Sequence, residues 1–452
     1  MSIVQLHANR RQAVPPLSSR PYGASDVIAV GGALLVVTGS FTLGDMHAWG
    51  LDSLDRVPLA LRCCLAVVMV AAVWLQHHVD LQRTVRHMPA WALEWLNRMP
   101  RWMTVMGAGG LFWLLRDASL AGDGSLKLAL VDTGSIDADP YVWKEPLDSF
   151  VTYVSANVVH RFGGDARLAI ALVSIAAGML FTVMVLRLAD TLVAHVGATC
   201  PQIRVIAIAV MFAGGSTQLW CGHIENYSLV TACVIAGLVS AIRFQLDDAP
   251  LWPVGVWCGF AVAVHPQAAF VAVAVVVLIR RASWKRDLVT VGVGSMIGPV
   301  VAVLLLRSAG VAWPRFGHGY AGDTNLFVPL SQILQRQHLW DVANNWFLVA
   351  PLMLWWFVVL IGSVRHCCRG GQSTQQVHLF LAVAAAGVVV YSLVFENDLP
   401  RVQDWDLYAI VGPVVSMCGL TSWALGRRQD CMLGAVLFAA VVSASFVLTN
   451  AF

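Results

Sequence analysis

Residues 115–148 read LRDASLAGDGSLKLALVDTGSIDADPYVWKEPLD, a long acidic stretch in an otherwise strongly apolar chain. It carries seven carboxylates, Asp117, Asp123, Asp132, Asp137, Asp139, Glu145 and Asp148, against Arg116, Lys127 and Lys144. On both sides the sequence runs in apolar segments of the length a bilayer requires. With 58% hydrophobic and 12% charged residues over 452 positions, and a mean hydropathy of +0.70, the composition excludes a soluble domain, where roughly 25% charged residues is usual. The expected fold class is all-α, a polytopic transmembrane helical bundle. The acidic stretch is then a loop between spans and the natural place to look for chemistry, with a merely solvated connector as the competing reading.

Working outward from this loop, the apolar runs give thirteen expected spans: 27–44, 57–75, 102–115, 167–187, 203–219, 228–244, 252–264, 267–279, 287–306, 345–363, 377–395, 405–425 and 431–450. With the N-terminus in the cytoplasm and every span crossing once, the cytoplasmic side holds 18 Lys/Arg and 8 Asp/Glu, and the other side 11 and 18. That asymmetry is the positive-inside pattern. It places the C-terminus and the acidic loop outside. The short pair 252–264 and 267–279 reads as a hairpin turning at His265–Pro266, because proline removes a backbone donor and favours a break. Residues 145–161 have apolar side chains near helical spacing (Leu147, Phe150, Val151, Val154, Val158) and are expected to form an amphipathic helix along the outer surface. Residues 326–346, and the turn 76–101 with Trp91 and Trp95, are further interfacial candidates. The domain organisation follows: a cytoplasmic tail 1–26, an N-terminal hairpin and basic loop 27–101, and a membrane domain 102–452 with outer loops 116–166 and 307–344. The ten cysteines form no disulfide framework; most are apolar fillers within or beside spans. The first apolar run is expected to be a retained helix rather than a cleaved signal.

Four polar clusters fall on the non-cytoplasmic side. Asp123 sits in a GDG turn just after the third span, where glycines allow close backbone approach, and Glu145 opens the amphipathic helix. The turn CGHIENYS (221–228) offers His223, Glu225, Asn226 and Tyr227. His265 marks the hairpin tip. ENDLPRVQDWDLY (396–408) brings Asp398, Arg401, Asp404 and Asp406 up to the twelfth span. Ionisable groups at a membrane boundary are costly unless solvated or paired, so their convergence on one face points to a shared cavity. Each has a plain alternative: solvated turn formers for HIEN, a satisfied boundary residue for His265, a helix cap for Asp404. Arg401 has the geometry to bind a phosphate bidentately or to pair with Asp398 or Asp404. No zinc motif, CxxC pair, P-loop, GxSxG elbow or nucleic-acid signature is present, so no metal ligand is assigned.

This pattern resembles the GT-C superfamily of integral-membrane glycosyltransferases that use polyprenyl-phosphate sugars. The resemblance rests on a span (102–115) leading into an outer loop with an acidic GDG turn, the EPL start at 145–147, the hairpin GFAVAVHPQAAF, and a late DWDLY before a span. It covers roughly residues 102–450, as eleven spans behind an extra N-terminal hairpin. It implies sugar transfer at the outer face of a bacterial inner membrane to a glycan, lipid or protein acceptor. Asp123 or Glu145 would act as general base, or help hold an acceptor or metal, and Arg401 would neutralise the leaving lipid phosphate. His223, Glu225, Asn226, His265, Asp398, Asp404 and Asp406 would line the donor and sugar pocket, and a divalent cation is a candidate cofactor. Competing readings are a transporter or flippase of lipid-linked saccharides, which would place polar elements near the midplane with inverted repeats, and an O-antigen ligase or polymerase, expected to carry arginine-rich outer loops.

Overall fold

The computed structural model describes residues 24–78, 99–117, 124–139, 142–196, 203–224, 227–313, 327–366, 372–395, 404–426 and 433–451. The apolar runs are helical in order: α1 Ala24–Thr38, α2 Leu59–His78, α3 Arg101–Leu114, α4 Gly124–Asp132, α5 Pro146–Arg161, α6 Ala166–Val196, α7 Ile203–Phe212, α8 Tyr227–Leu246, α9 Trp252–Val264, α10 Trp284–Ser308, α11 Arg336–Val349, α12 Met353–His366, α13 Gln372–Val394, α14 Val411–Leu425 and α15 Leu433–Ala451. The chain is a polytopic helical membrane protein. Among the described residues five helices are individually long and apolar enough to cross a bilayer, or up to seven if two bent pairs each count as one span. Several of the thirteen expected spans are represented by shorter apolar helices.

Two expected boundaries are corrected. The first span ends at Thr38 rather than at 44. Gly39 takes φ +70, Asp55 accepts hydrogen bonds from the Ser40 backbone, and residues 42–47 form a tight antiparallel pair, β1 Thr42–Leu43 with β2 Met46–His47. The span expected over 345–363 is interrupted. α11 ends at Val349 and α12 begins at Met353 after an 87° bend, across Ala350–Pro351, where proline denies the next turn its donor.

At the centre stands α14. It packs against α6, α7, α11, α12 and α13, and the apolar window within Trp405–Leu425 is 100% buried. α10 lies at the other extreme, with only 17% of its apolar window covered by protein. It is fastened to α9 through glycines: a Cβ on Gly255 would meet the Val291 carbonyl oxygen at 2.5 Å, and one on Gly298 would meet the Gly259 backbone carbon at 2.3 Å. Such backbone-to-backbone approach replaces the hydrophobic drive that helices lack in lipid. The contacts match rising numbers with rising numbers, so α9 and α10 run parallel. The hairpin breaks where expected: His265 is extended (φ −154, ψ 133), as a residue before proline prefers, and the return arm over Pro266–Leu278 is mostly 3₁₀.

The acidic loop is not a bare connector. It contains α4, a 3₁₀ turn at Ile136–Ala138 and α5, and a small apolar cluster of Ile136, Val142, Leu306 and Val311 ties it to the end of α10. α5 forms as expected with Pro146 in its first turn, and its inner and outer faces are both mixed in polarity. Leu147, Asp148, Ser149, Thr152 and Ala156 are buried against the bundle, while Val154 and Val158 are exposed. Asn157, His160 and Arg161 are exposed beside them.

Candidate active site

The ends of α3, α9 and the turn before α8, together with the starts of α5 and the 3₁₀ turn Trp405–Tyr408, meet at one end of the bundle. They bring two acid–histidine groups together. In the first, His223 stands between two carboxylates, with Nδ1 2.9 Å from Asp117 Oδ2 and Nε2 2.8 Å from Asp406 Oδ2. All three side chains are buried. Ionised carboxylates only accept, so both ring nitrogens carry hydrogen and the ring is an imidazolium. Burial works to lower the pKa of His223, but the hydrogen bonds and charges of Asp117 and Asp406 outweigh it and push the value up to about 10.

The turn that carries His223 is set by close backbone approach. Asp117 N–H donates to the Cys221 carbonyl at 2.7 Å, and Arg167 reaches the Asp117 carbonyl at 3.4 Å. Gly222 adopts φ +67, and a Cβ there would lie 2.7 Å from Arg116 Cγ. A Cβ on Gly124 would meet the Ile224 carbonyl oxygen at 2.9 Å, so the second glycine of GDG does permit the approach its sequence suggested. On the other side, the His223 ring lies 5.3 Å from that of Trp405, and Asn345 Nδ2 donates to the Trp405 carbonyl at 3.2 Å.

The second group is built on α5 and the hairpin tip. His265 Nε2 is 3.2 Å from Glu145 Oε1, and the Gln267 backbone N–H donates to His265 Nδ1 at 3.2 Å. With Nδ1 accepting, the hydrogen on Nε2 points to Glu145, so the hairpin turn orients the carboxylate through the ring. The edge of the Tyr227–His265 ring pair, at 5.5 Å, packs the imidazole from α8. One helical turn along α5, Lys127 Nζ lies 2.6 Å from Asp148 Oδ2. Lys144 Nζ is 3.8 Å from Glu145 Oε1. Burial acts to raise the Glu145 pKa, but His265, Lys144 and Lys127 together hold it below the usual carboxylate range. At Asp148 burial prevails over Lys127 and the carboxyl is pushed up. Two acids a turn apart are thus driven in opposite directions.

Of the residues expected from sequence, the structure gathers Glu145, His223, His265 and Asp406 at this end. Asp404 is buried there too, and its side chain does not cap the following turn, contrary to the capping alternative. His265 is buried and paired with Glu145. Asp123, Glu225, Asn226, Asp398 and Arg401 lie outside the described residues. Asp117, Asp148 and Lys127 were among the counted loop charges but were not singled out. The signal available for Asp117 was its place directly after a span; for Lys127 and Asp148 nothing in the local sequence marked the pair. Among the described residues no group of three or more His, Cys, Asp or Glu side chains is arranged to hold a metal ion.

No family model and no curated protein matches the chain. Among solved structures it is similar to the crystal structure of ArnT from Cupriavidus metallidurans in the apo state, with a TM-score of 0.48 and 17% identity. It is likewise similar to ArnT from Cupriavidus metallidurans bound to undecaprenyl phosphate, with a TM-score of 0.46 and 15% identity. Each match covers 74% of this chain and 61% of the ArnT chain, so the chain spans about three fifths of the length of these structural neighbours.

Proposed function

We propose that the chain is a membrane glycosyltransferase that moves a sugar from a polyprenyl-phosphate carrier to an acceptor hydroxyl, with Glu145 as general base. The observation that carries the reading is the Glu145–His265 pair. A base for an acceptor hydroxyl must be an ionised carboxylate within reach of substrate. Glu145 is held in the charged form, and its side chain is 10% exposed, whereas those of Asp117 and Asp406 are 1% and 2% exposed and closed on His223. In the transfer, the acceptor O–H gives its proton to Glu145 as the oxygen attacks the anomeric carbon. The carbon–oxygen bond to phosphate breaks, and the polyprenyl phosphate leaves with the electron pair. Arg401 is the proposed counter-charge for that phosphate, and Asp123 is the alternative base. Asp404 and Asp406 are proposed to border the sugar pocket with Glu225, Asn226 and Asp398. The charge asymmetry of the loops supports placing this end on the non-cytoplasmic face, with the C-terminus on the same side.

The test supplies membranes containing Glu145→Gln, Asp123→Asn or wild-type chain with a mixture of polyprenyl-phosphate sugars, and follows carrier release and sugar transfer. Loss of roughly a hundredfold or more in Glu145→Gln, at unchanged abundance, is expected. Full activity in Glu145→Gln with loss in Asp123→Asn moves the base to Asp123. Wild-type membranes that translocate a lipid-linked saccharide without cleaving it refute the transferase.

A further inference from the structure

At the end of the bundle opposite His265, most cations of the described residues are neutralised within the protein. Asp190 holds Arg204 at 2.6 Å and Arg101 at 2.7 Å, and Asp247 lies 3.6 Å from Arg243. The segment RRASWKR at 280–286, which leads into the first turn of α10, differs. Asp287 accepts from Arg280 at 3.2 Å and lies 3.7 Å from Arg286. Arg281 and Lys285 are exposed and have no carboxylate partner among the described residues. Between them Trp284 is half exposed, and the Lys285 ammonium lies 5.6 Å from its ring.

Below Lys285 the same face of α10 continues as Val289, Val293, Met296, Val300 and Leu304, at steps of three and four residues. All five are exposed, by 47% to 64%. From Lys285 to Met296 the helix rises about 16 Å, the thickness of one hydrocarbon leaflet. One stripe therefore offers a cationic head, an amphipathic indole at interface depth and an apolar track of leaflet length. We infer that Arg281, Lys285 and Trp284 bind the phosphate headgroup of an anionic phospholipid, whose acyl chain lies along Val289, Val293 and Met296 of α10. The choice of an anionic lipid over a second copy of the chain rests on charge: two copies meeting here would bring like charges together, whereas a phosphodiester neutralises them. Each cation near an anionic headgroup is worth roughly a fivefold preference, so the pair supplies about thirtyfold.

The full-length protein, purified in detergent with equimolar phosphatidylglycerol and phosphatidylcholine of identical acyl chains, is read by native mass spectrometry for retained lipid. This readout needs no turnover and is independent of the proposed transferase. Wild type is expected to retain phosphatidylglycerol over phosphatidylcholine by about thirtyfold. Arg281→Gln/Lys285→Gln is expected to lose most of that preference, and Arg281→Lys/Lys285→Arg to keep it. Equal retention of the two lipids by wild type, an unchanged preference in the double Gln variant, or a protein dimer in place of the lipid adduct overturns the inference.

Discussion

Replacing His223 by Gln leaves Asp117 and Asp406 buried on either side of a neutral amide. Raising an imidazole from its ordinary value near 6.5 to about 10 corresponds to a preference for the charged ring of roughly 5 kcal/mol. Removing one partner from a buried charged group typically costs about 3–5 kcal/mol, in line with that figure. The sign in pH follows from the direction of the shift. The folded-state value lies above the unfolded one, so the stabilisation is fully present below about pH 6.5 and is lost as pH rises toward about 10. Thermal melting of the detergent-solubilised protein across this window should show wild type weakening toward alkaline pH. His223→Gln should start lower and respond less. The triple variant Asp117→Asn/His223→Gln/Asp406→Asn should recover part of the loss, because it removes the uncompensated charges together. Equal melting of wild type and His223→Gln, with parallel pH profiles, would refute the buried imidazolium.

If His265 positions Glu145, His265→Ala lowers kcat by roughly ten- to hundredfold with little change in KM for the donor, and alters the pH profile of kcat; steady-state kinetics on the polyprenyl-phosphate sugar checks this. Gly298→Ala drives a methyl into the Gly259 backbone and is expected to destabilise the fold by about 1–3 kcal/mol. Gly292→Ala on the same helix meets nothing within 4 Å, so its melting temperature should hold or rise slightly. Gly222→Ala adds strain at φ +67 as well as contact with Arg116, and is expected to lower stability by about 1–2 kcal/mol in the same melting assay.

Much of the helical order was legible because lipid-facing and core-facing residues are both apolar, which makes runs such as 228–244 unmistakable. The ends were harder. That α1 stops at Thr38 depends on Gly39 and Asp55, sixteen positions apart, and the break after Val349 falls inside a run whose hydropathy does not change. The acid–histidine ends were visible as polar interruptions, and Glu145, His223, His265 and Asp406 were named from them. Their pairing was not: His223 is 106 residues from Asp117 and 183 from Asp406, separations that no local pattern encodes. Nor did the spacing of α5 tell which of its faces turns inward. Buried Asp148, Ser149 and Thr152 stand beside buried Leu147 and Ala156, so no single apolar stripe marks the inward face.

The glycine contact between α9 and α10 has a mechanical consequence. α9 delivers His265 to Glu145, and α5, which begins beside Glu145, rests on both α9 and α10. Of the five helices among the described residues that are long enough to cross a bilayer, α10 is at the same time the least covered by protein. Backbone seated on backbone leaves no soft side chain between α9 and α10, so the two helices hold His265 and the seat of α5 as one unit.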